Sequence, residues 1–466
     1  MDRKKYGISG FFQRIAQPFI NFYKRFMDGS IGTKMSHFIM GAGNIYHGQI
    51  IKGLIYFLIQ VGYVVFMVTC PKVNNTPLGY KAFINFVTLG TQEGDIFTPA
   101  DNSMLMLLFG VVTFGITLMY LFAYNSSIKS SYKADKDLKN YGKVTTFRHD
   151  LKEMFGNRFY IAMLTPATLG AVVFTLLPTL FMILIAFTNF DKERQAGLKL
   201  FDWVGLDNFT TFFTNPSGEI AARFLPVLGW TLIWAFFATF LNYYGGILLA
   251  LLINKKGLKG KVIFRAIFVL TIAIPQFISL LAMRNLIGEY GPLQSFLIKV
   301  GIMSEPMSFL ANAPNVWIAR ITIILINLWV GIPYSMLLAS GAIMNIPESL
   351  YEAARIDGAS KFTILRKITM PYIVFITTPY LISSFIGNIT SFNIIYLLTG
   401  GMPKVTGGYI AGGTDLLVTW LYKLTIDEQQ YNLGAVIGIL TFLLTSTVTL
   451  ITYRRSKSYK EEDAFQ

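Results

Sequence analysis

Three apolar stretches carry the side chains best suited to meeting a polar solute. In "NLWVGIPYSM", Asn327 to Met336, Tyr334 offers a ring face and a hydroxyl. In "SSFIGNITSFN", Ser383 to Asn393, Asn388 and Ser391 place an amide and a hydroxyl within an apolar run. In "IAIPQFISLL", Gln276 follows Pro275. Polar groups inside such runs are costly and mark a task. Amides, hydroxyls and ring faces break no covalent bond. They hold a solute, with aromatic surface for its C–H faces and a few placed polar groups for its hydroxyls. Gly331 and Pro333 are expected to open the helix beside Tyr334. Helix packing around a proline kink is the alternative reading of that stretch.

Bond-making chemistry has less to work with. His37, His47 and His149 lack metal-ligand spacing. A membrane enzyme would want paired carboxylates or a metal cluster at one face, and neither stands out. The single cysteine, Cys70, excludes an internal disulfide and any cysteine-rich metal site. No G-x-x-x-x-G-K-[ST] run is present, so the chain has no phosphate cradle of that type. "GAGNIYHG", from Gly41, is rich in glycine but lacks the lysine and the preceding strand. It reads as a re-entrant or packing turn.

The elements that position these residues follow from composition. Charged residues make up 14% of the 466 and hydrophobic ones 53%, against roughly 25% charged in a soluble domain. Several apolar runs reach the ~20 residues that span a bilayer. The expected fold is all-α, a multi-pass membrane protein of about eight transmembrane helices. The spans fall near 51–70, 104–124, 160–189, 226–253, 262–288, 316–345, 372–399 and 432–453. The third, with Pro166 and Pro178, is expected to begin near Thr165 and to kink. No Asp or Glu falls inside any of these spans, and Glu289 lies at an edge. A cation-coupled secondary transporter usually needs such carboxylates.

The net charge of +15 need not mean nucleic acid, and no nucleic-acid partner is expected. Most Lys and Arg residues fall at the start, in 125–158, in 254–265, in 346–371 and in the tail. The stretch 125–158 holds Lys129, Lys133, Lys136, Lys139, Lys143, Arg148, Lys152 and Arg158. Cytoplasmic loops collect such bases, so both termini are expected to be cytoplasmic and the localisation the plasma membrane. "FFQRIAQPFINFYKRF", near the start, alternates aromatics and bases at helical spacing. It is either an interfacial helix on the inner leaflet or a solvated arm. No cleavable signal peptide is expected.

One polar insert interrupts the apolar second half: "PESLYEAARIDGASKFTILRKITMP", Pro347 to Pro371. Pro347 suits a first helical position and Glu348 the positive end of the dipole. Gly358 breaks the helix. Ser360 can cap a second short helix, in which Phe362, Leu365 and Ile368 recur, with Pro371 closing it and opening the next span.

"EAARIDGA", followed nine residues later by "ITMP", resembles the EAA loop of the membrane subunits of ABC importers. The match keeps Glu352, Ala353, Ala354, Gly358, Ala359, Ile368 and Pro371, with Met370 where the family usually has Leu. Eight spans with this loop between the sixth and seventh resemble the larger membrane subunit of maltose/maltodextrin-type sugar permeases, which have the type I importer fold. The resemblance implies that the loop docks in a cleft of a separate cytoplasmic ABC ATPase dimer, which holds ATP and Mg. Glu352 would pair with a basic group there, Ala353 and Ala354 would permit close approach, and Gly358 would allow the turn. The chain itself would need no cofactor. A second membrane subunit is implied, because an importer needs two such loops.

The same resemblance implies a transport site. The W-x-G-x-P-Y pattern, with Trp329, Gly331 and Tyr334, resembles the pocket-lining helix, and Gln276, Asn388 and Ser391 would face the sugar. Gly387 and Ile272 stand where aromatics are expected, which implies a wider or differently shaped pocket. "GGYIAGGTDLLVTWLYKL", Gly407 to Leu424, resembles the outer loop that touches the sugar-binding protein, with Gly412, Gly413 and Asp415 supplying turns and a charged rim. The stretch 190–225, including "WVGLDNF", is too short for the large insert of Gram-negative versions. That suits a lipid-anchored binding protein, as in Gram-positive systems. The implied cargo is maltodextrin, with galacto-oligosaccharides and raffinose-type sugars as alternatives. The implied organisation is an interfacial segment at 1–50, two added spans at 51–158, a six-span core at 159–453 and a tail at 454–466.

Overall fold

The computed structural model describes residues 8–94, 100–195, 199–214, 219–255, 257–405 and 411–455. Apart from one two-residue antiparallel pair, Lys72–Val73 with Thr76–Pro77, the regular structure described is helical. Among the described residues seven helices are long and apolar enough to cross a bilayer, and a bent pair makes an eighth if counted as one span. The chain divides into two compact units, Met1–Trp203 and Val204–Gln466.

The first unit holds α1 (Ile8–Asp28), α2 (Ile31–Met35), α3 (Ala42–Tyr46), α4 (Ile50–Thr69), α5 (Tyr80–Thr88), α6 (Ser103–Tyr141), α7 (Phe147–Phe155), α8 (Phe159–Ala171) and α9 (Leu177–Ile185). Helix α6 is 39 residues long, about 58 Å at ~1.5 Å per residue, nearly twice the ~30 Å hydrocarbon core. Asn102 caps its start and Gly142, in the left-handed region, ends it. Its first half is apolar. Its second half carries the lysines, and the segment around α1 and α2 packs on it. Arg25 donates to Asn125 at 3.2 Å, and the Ser30 amide to Asp135 at 2.9 Å. Phe22 and Phe26 meet the His37 ring edge-on.

"GAGNIYHG" is a packing turn. A Cβ on Gly41 would strike the Gly53 carbonyl, and one on Gly43 the Ser131 hydroxyl. Burial pushes the neighbouring His47 imidazole below its ordinary value, against the pull of Asp135.

The third span differs from expectation. It begins at Phe159 rather than near Thr165, and α8 and α9 run on through a π turn at Val172–Leu176. There the Leu177 amide reaches back to Val172 O. This wider turn absorbs Pro178 without ending the helix.

The second unit holds α10 (Asp207–Thr214), α11 (Glu219–Ile253), α12 (Lys261–Ala273), α13 (Gln276–Ile287), α14 (Pro292–Lys299), α15 (Val316–Met344), α16 (Glu348–Ile356), α17 (Lys361–Ile364), α18 (Met370–Ile389), α19 (Asn393–Leu398), α20 (Leu417–Tyr422) and α21 (Tyr431–Arg455). One buried cluster joins Trp230, Trp234, Leu280, Ile323, Ile395 and Leu398, and a second joins Tyr243, Ile247, Met336 and Ile373.

The expected fifth span, 262–288, is not one helix. Helices α12 and α13 meet at a 97° bend. Pro275 has no amide hydrogen and drives Ile274 to extended backbone, φ −79°, ψ 128°. The expected seventh span, 372–399, is also broken. Helix α18 stops at Ile389, residues 390–392 leave the helix, and α19 restarts at Asn393. The Thr390 hydroxyl bonds to the carbonyls of Ile386 and Gly387, at 3.3 Å each, which ties up acceptors at the helix end.

Candidate functional site

The expected solute-facing residues lie on α13, α15, α18 and the break after α18. Helix α15 is continuous from Val316 to Met344, so Gly331 and Pro333 do not open it. Gly331 serves packing instead, because a Cβ there would enter the Asn242 side chain on α11. Gly246 of α11 faces Ser335 and Met336 of α15 with as little room. Small residues on both helices bring the two backbones together.

The W-x-G-x-P-Y residues do not share one face. Two helical steps turn the side chain by about 200°, so Trp329 points away from the direction of Gly331. Trp329 and Tyr334 are both half exposed. Tyr334 packs at a tilt against Tyr380 of α18, centroids 5.5 Å apart and rings 43° to one another, and Ser335 pairs with the Tyr380 hydroxyl at 3.2 Å. Gln276 is exposed in the first turn of α13, just past the bend. Ser391 lies in the break, and Asn388 in the last turn of α18 donates to Thr239 of α11 at 2.9 Å. The structure therefore joins Tyr334 to Tyr380 and Asn388 to Thr239, and it brings Gln276 or Trp329 to neither pair.

Sequence reasoning missed the partners. Thr239 and Tyr243 of α11, Ser335 of α15 and Thr377 and Tyr380 of α18 form a polar seam, with the Tyr243 and Thr377 hydroxyls 2.7 Å apart. Each is a polar group inside an apolar run, the signal that singled out Asn388. Asn242 Oδ1 and Asn327 Nδ2 are buried on α11 and α15 without a hydrogen-bond partner among the described residues. Such groups are costly in a dry interior.

The polar insert forms a second surface. Pro347 caps α16 by backbone alone, and Glu348 sits in its first turn. The helix closes through three bonds: Asp357 N to Ala353 O, Gly358 N to Arg355 O and Ala359 N to Ala354 O, at 2.9–3.1 Å. Gly358 takes φ 75°, open to glycine and strained for other residues. The Ser360 hydroxyl accepts from Thr363 N at 3.2 Å, as expected of a cap. Pro371 does not close a second separate helix. Helix α17 passes through a π turn at Leu365–Thr369, which includes Ile368, straight into α18. The Met370 amide reaches Leu365 O, and Pro371 falls in the first turn of α18, where its missing amide is tolerated. Tyr351 ties α16 to this turn through Thr369, at 3.1 Å. Glu352 and Ala353 are exposed and Ala354 is half buried. Among the described residues Glu352 has no ion-pair partner. Leu350, Ile356 and Phe362 project apolar surface beside it, Ile356 at 86% exposure.

The outer loop departs from expectation. Gly407–Ile410 lie outside the described residues. Asp415 is not a charged rim, because its side chain is fully buried and paired with Lys423 at 2.6 Å. It also accepts from Gly412 N at 2.7 Å and Thr419 Oγ1 at 2.9 Å. Burial pushes its carboxyl above the usual carboxylate range, with Lys423, Gly412 and Thr419 pulling the other way. Gly412 and Gly413 are needed for space, since a Cβ would meet the Gly401 carbonyl or Val316 respectively. The loop is bolted from below. Arg320 donates to Gly413 O at 2.9 Å while its guanidinium lies over Trp230 and Trp317, and Trp230 donates to Thr414 O at 3.1 Å.

Residues 242–457 match the family model described as the binding-protein-dependent transport system inner membrane component. The chain is 34% identical over 426 residues to the galactooligosaccharides transport system permease protein GanP of Bacillus subtilis, covering 91% of this chain and 97% of that protein. It is 32% identical over 433 residues to the maltodextrin transport system permease protein MalC of Streptococcus pneumoniae, covering 91% and 95%. To the maltose/maltodextrin transport system permease protein MalF of Escherichia coli it is 35% identical over 277 residues, 57% of this chain and 51% of that protein. The crystal structure of a bacterial ABC transporter involved in the import of the acidic polysaccharide alginate shares the fold, with a TM-score of 0.54 at 23% identity over 66% of this chain and 98% of that one.

Proposed function

The chain belongs to the permease subunits of binding-protein-dependent ABC sugar importers, and from that premise we propose how its parts divide the work. It is a multi-pass subunit of the plasma membrane that takes up oligosaccharide. The observation that carries the division of labour is the surface of α16. Its Glu352, which has no ion-pair partner among the described residues, its small Ala353 and Ala354 and its exposed Ile356 suit a partner protein rather than solvent. That partner is the ATPase dimer, which holds ATP and Mg, since this chain lacks a phosphate cradle. The continuous helix α17–α18 then links the docking surface to the seventh span. Tyr351 couples α16 to that helix through Thr369, so movement of α16 reaches the polar seam at Tyr380 and Asn388 along α17–α18.

Tyr334, Trp329 and Gln276 are exposed on this chain, and a second permease subunit completes the sugar path beside them. Outside, the loop held by Asp415 presents a fixed shape to the sugar-binding protein. The contact belongs to its surface groups and not to the buried carboxylate. Both termini lie in the cytoplasm.

Maltodextrin is the first reading of the cargo, supported by the W-x-G-x-P-Y helix. A galacto-oligosaccharide is the second, favoured by Gly387 and Ile272 in place of rings and by the likeness to GanP. The test is uptake by proteoliposomes holding this chain, its partner subunit, the ATPase and the binding protein, with ATP inside. Maltotetraose uptake alone supports the first reading, and galactotetraose uptake alone supports the second. Uptake of neither would sink both.

A further inference from the structure

The first unit carries a cavity of about 370 Å³ that the transport reading does not use. Lys52, Lys129, Lys133 and Arg158 line it, with Tyr56, Ser126 and Ser130 between them. Two carboxylates share the site. Asp150 pairs with Lys52 at 2.6 Å and Glu153 with Arg158 at 3.5 Å. Lys129 and Lys133, one helical turn apart on α6, have no ion-pair partner among the described residues. The pocket thus holds two uncompensated cations. Its hydroxyls are already placed: Tyr56 and Ser126 lie 3.2 Å apart, and Ser130 accepts from Asn44 at 2.8 Å.

Its position in the fold names the ligand's surroundings. Lys52 is in the first turn of α4, and Arg158 immediately precedes the span that starts at Phe159. Ser126 and Lys129 stand where α6 turns from apolar to basic. Two candidate spans therefore begin, and the apolar part of a third ends, around this one cavity, as expected of a site at headgroup depth. Phe155, Phe159, Tyr160 and Ile161 are exposed beside it, the last three at the start of a span. Apolar surface below and free cations above suit one class of molecule, an anionic lipid. A free anion would need only the cations.

We propose that this cavity binds the phosphodiester headgroup of an anionic glycerophospholipid, with Lys129 and Lys133 on the phosphate and the acyl chains along the exposed start of α8. Basic pockets between spans on the side that carries the positive charges hold such headgroups. The site would anchor the first unit to the leaflet in which its basic segment lies.

The experiment uses the purified full chain in a neutral detergent. Phosphatidylglycerol, phosphatidylcholine or inorganic phosphate is added, and bound adducts are counted by native mass spectrometry. The expected result is selective retention of phosphatidylglycerol, reduced about tenfold or more in Lys129→Gln/Lys133→Gln and unchanged in the control Lys81→Gln. Both lysines are exposed, and an unaltered elution profile and melting temperature establish that the double variant folds. Equal retention by the wild type and the double variant would overturn the proposal, as would equal retention of phosphatidylcholine. Displacement of the lipid by millimolar inorganic phosphate would give the pocket to a free anion. Loss of the lipid when the ATPase assembles would give it to a protein partner. Either of these two results also overturns the lipid assignment.

Discussion

Tyr334 and Asp415 show how differently two polar side chains are used. Tyr334 keeps nearly half its surface free while its ring rests on Tyr380. Tyr334→Ala is expected to lower sugar uptake about tenfold or more, with basal ATPase activity of the assembled transporter preserved. Unchanged uptake across substrate concentrations would remove Tyr334 from the path. Asp415 has no free surface and holds its loop from inside. Removing one partner of a buried pair costs about 3–5 kcal/mol, so Asp415→Ala is expected to lower the melting temperature. Adding Lys423→Ala to it should restore part of the loss, and strictly additive effects would show that the two residues are not coupled. Gly331 belongs to packing. Gly331→Ala is expected to cost about 1–3 kcal/mol by overfilling the contact with Asn242, read as a lower melting temperature. No effect would mean that α11 and α15 separate easily there.

At the scale of elements, the decisive features are where helices continue and where they stop. Pro275 bends its span by 97°, whereas Pro371 and Pro178 sit beside π turns and leave theirs intact. The missing amide is the same in each case. What differs is whether neighbouring carbonyls find other donors, and no local pattern in the chain announces that. The turn at Gly358 is the converse, a single position where the backbone demands glycine. Leucine at φ 75° costs roughly 1–2 kcal/mol and would tilt α16 away from α17. Gly358→Leu is expected to leave the protein inserted and ATP hydrolysis intact while uptake falls at least tenfold. Normal uptake would show that the coupling surface does not depend on that turn.

For the whole molecule, orientation follows from charge. The stretch 125–158 and the insert are expected inside, and residues 289–315 outside. In a Cys70→Ser background, an impermeant maleimide applied to intact cells should label Glu305→Cys and spare His149→Cys. The reverse pattern would invert the topology. The same logic gives the lipid cavity its leaflet, because the lysines that set orientation also line it.

Membrane character, an all-α fold of about eight spans and the turn at Gly358 were legible in the chain. They depend on hydropathy over about 20 residues and on one residue's allowed backbone angles, both of which are local. The cap at Ser360 was legible for the same reason, whereas at Gly41 only contacts with Gly53 and α6 chose the packing turn over the re-entrant one. Tertiary contacts decided the rest. Gly331 looked like a helix opener and proved to be a contact with Asn242, 89 residues earlier in the chain. Asp415 looked like a rim charge and proved to be sealed by Lys423. The polar seam pairs Thr239 with Asn388 and Ser335 with Tyr380 across separate spans. A side chain's partner in a bundle depends on how helices rotate and cross, and that is set by packing over the whole unit rather than by spacing along one segment.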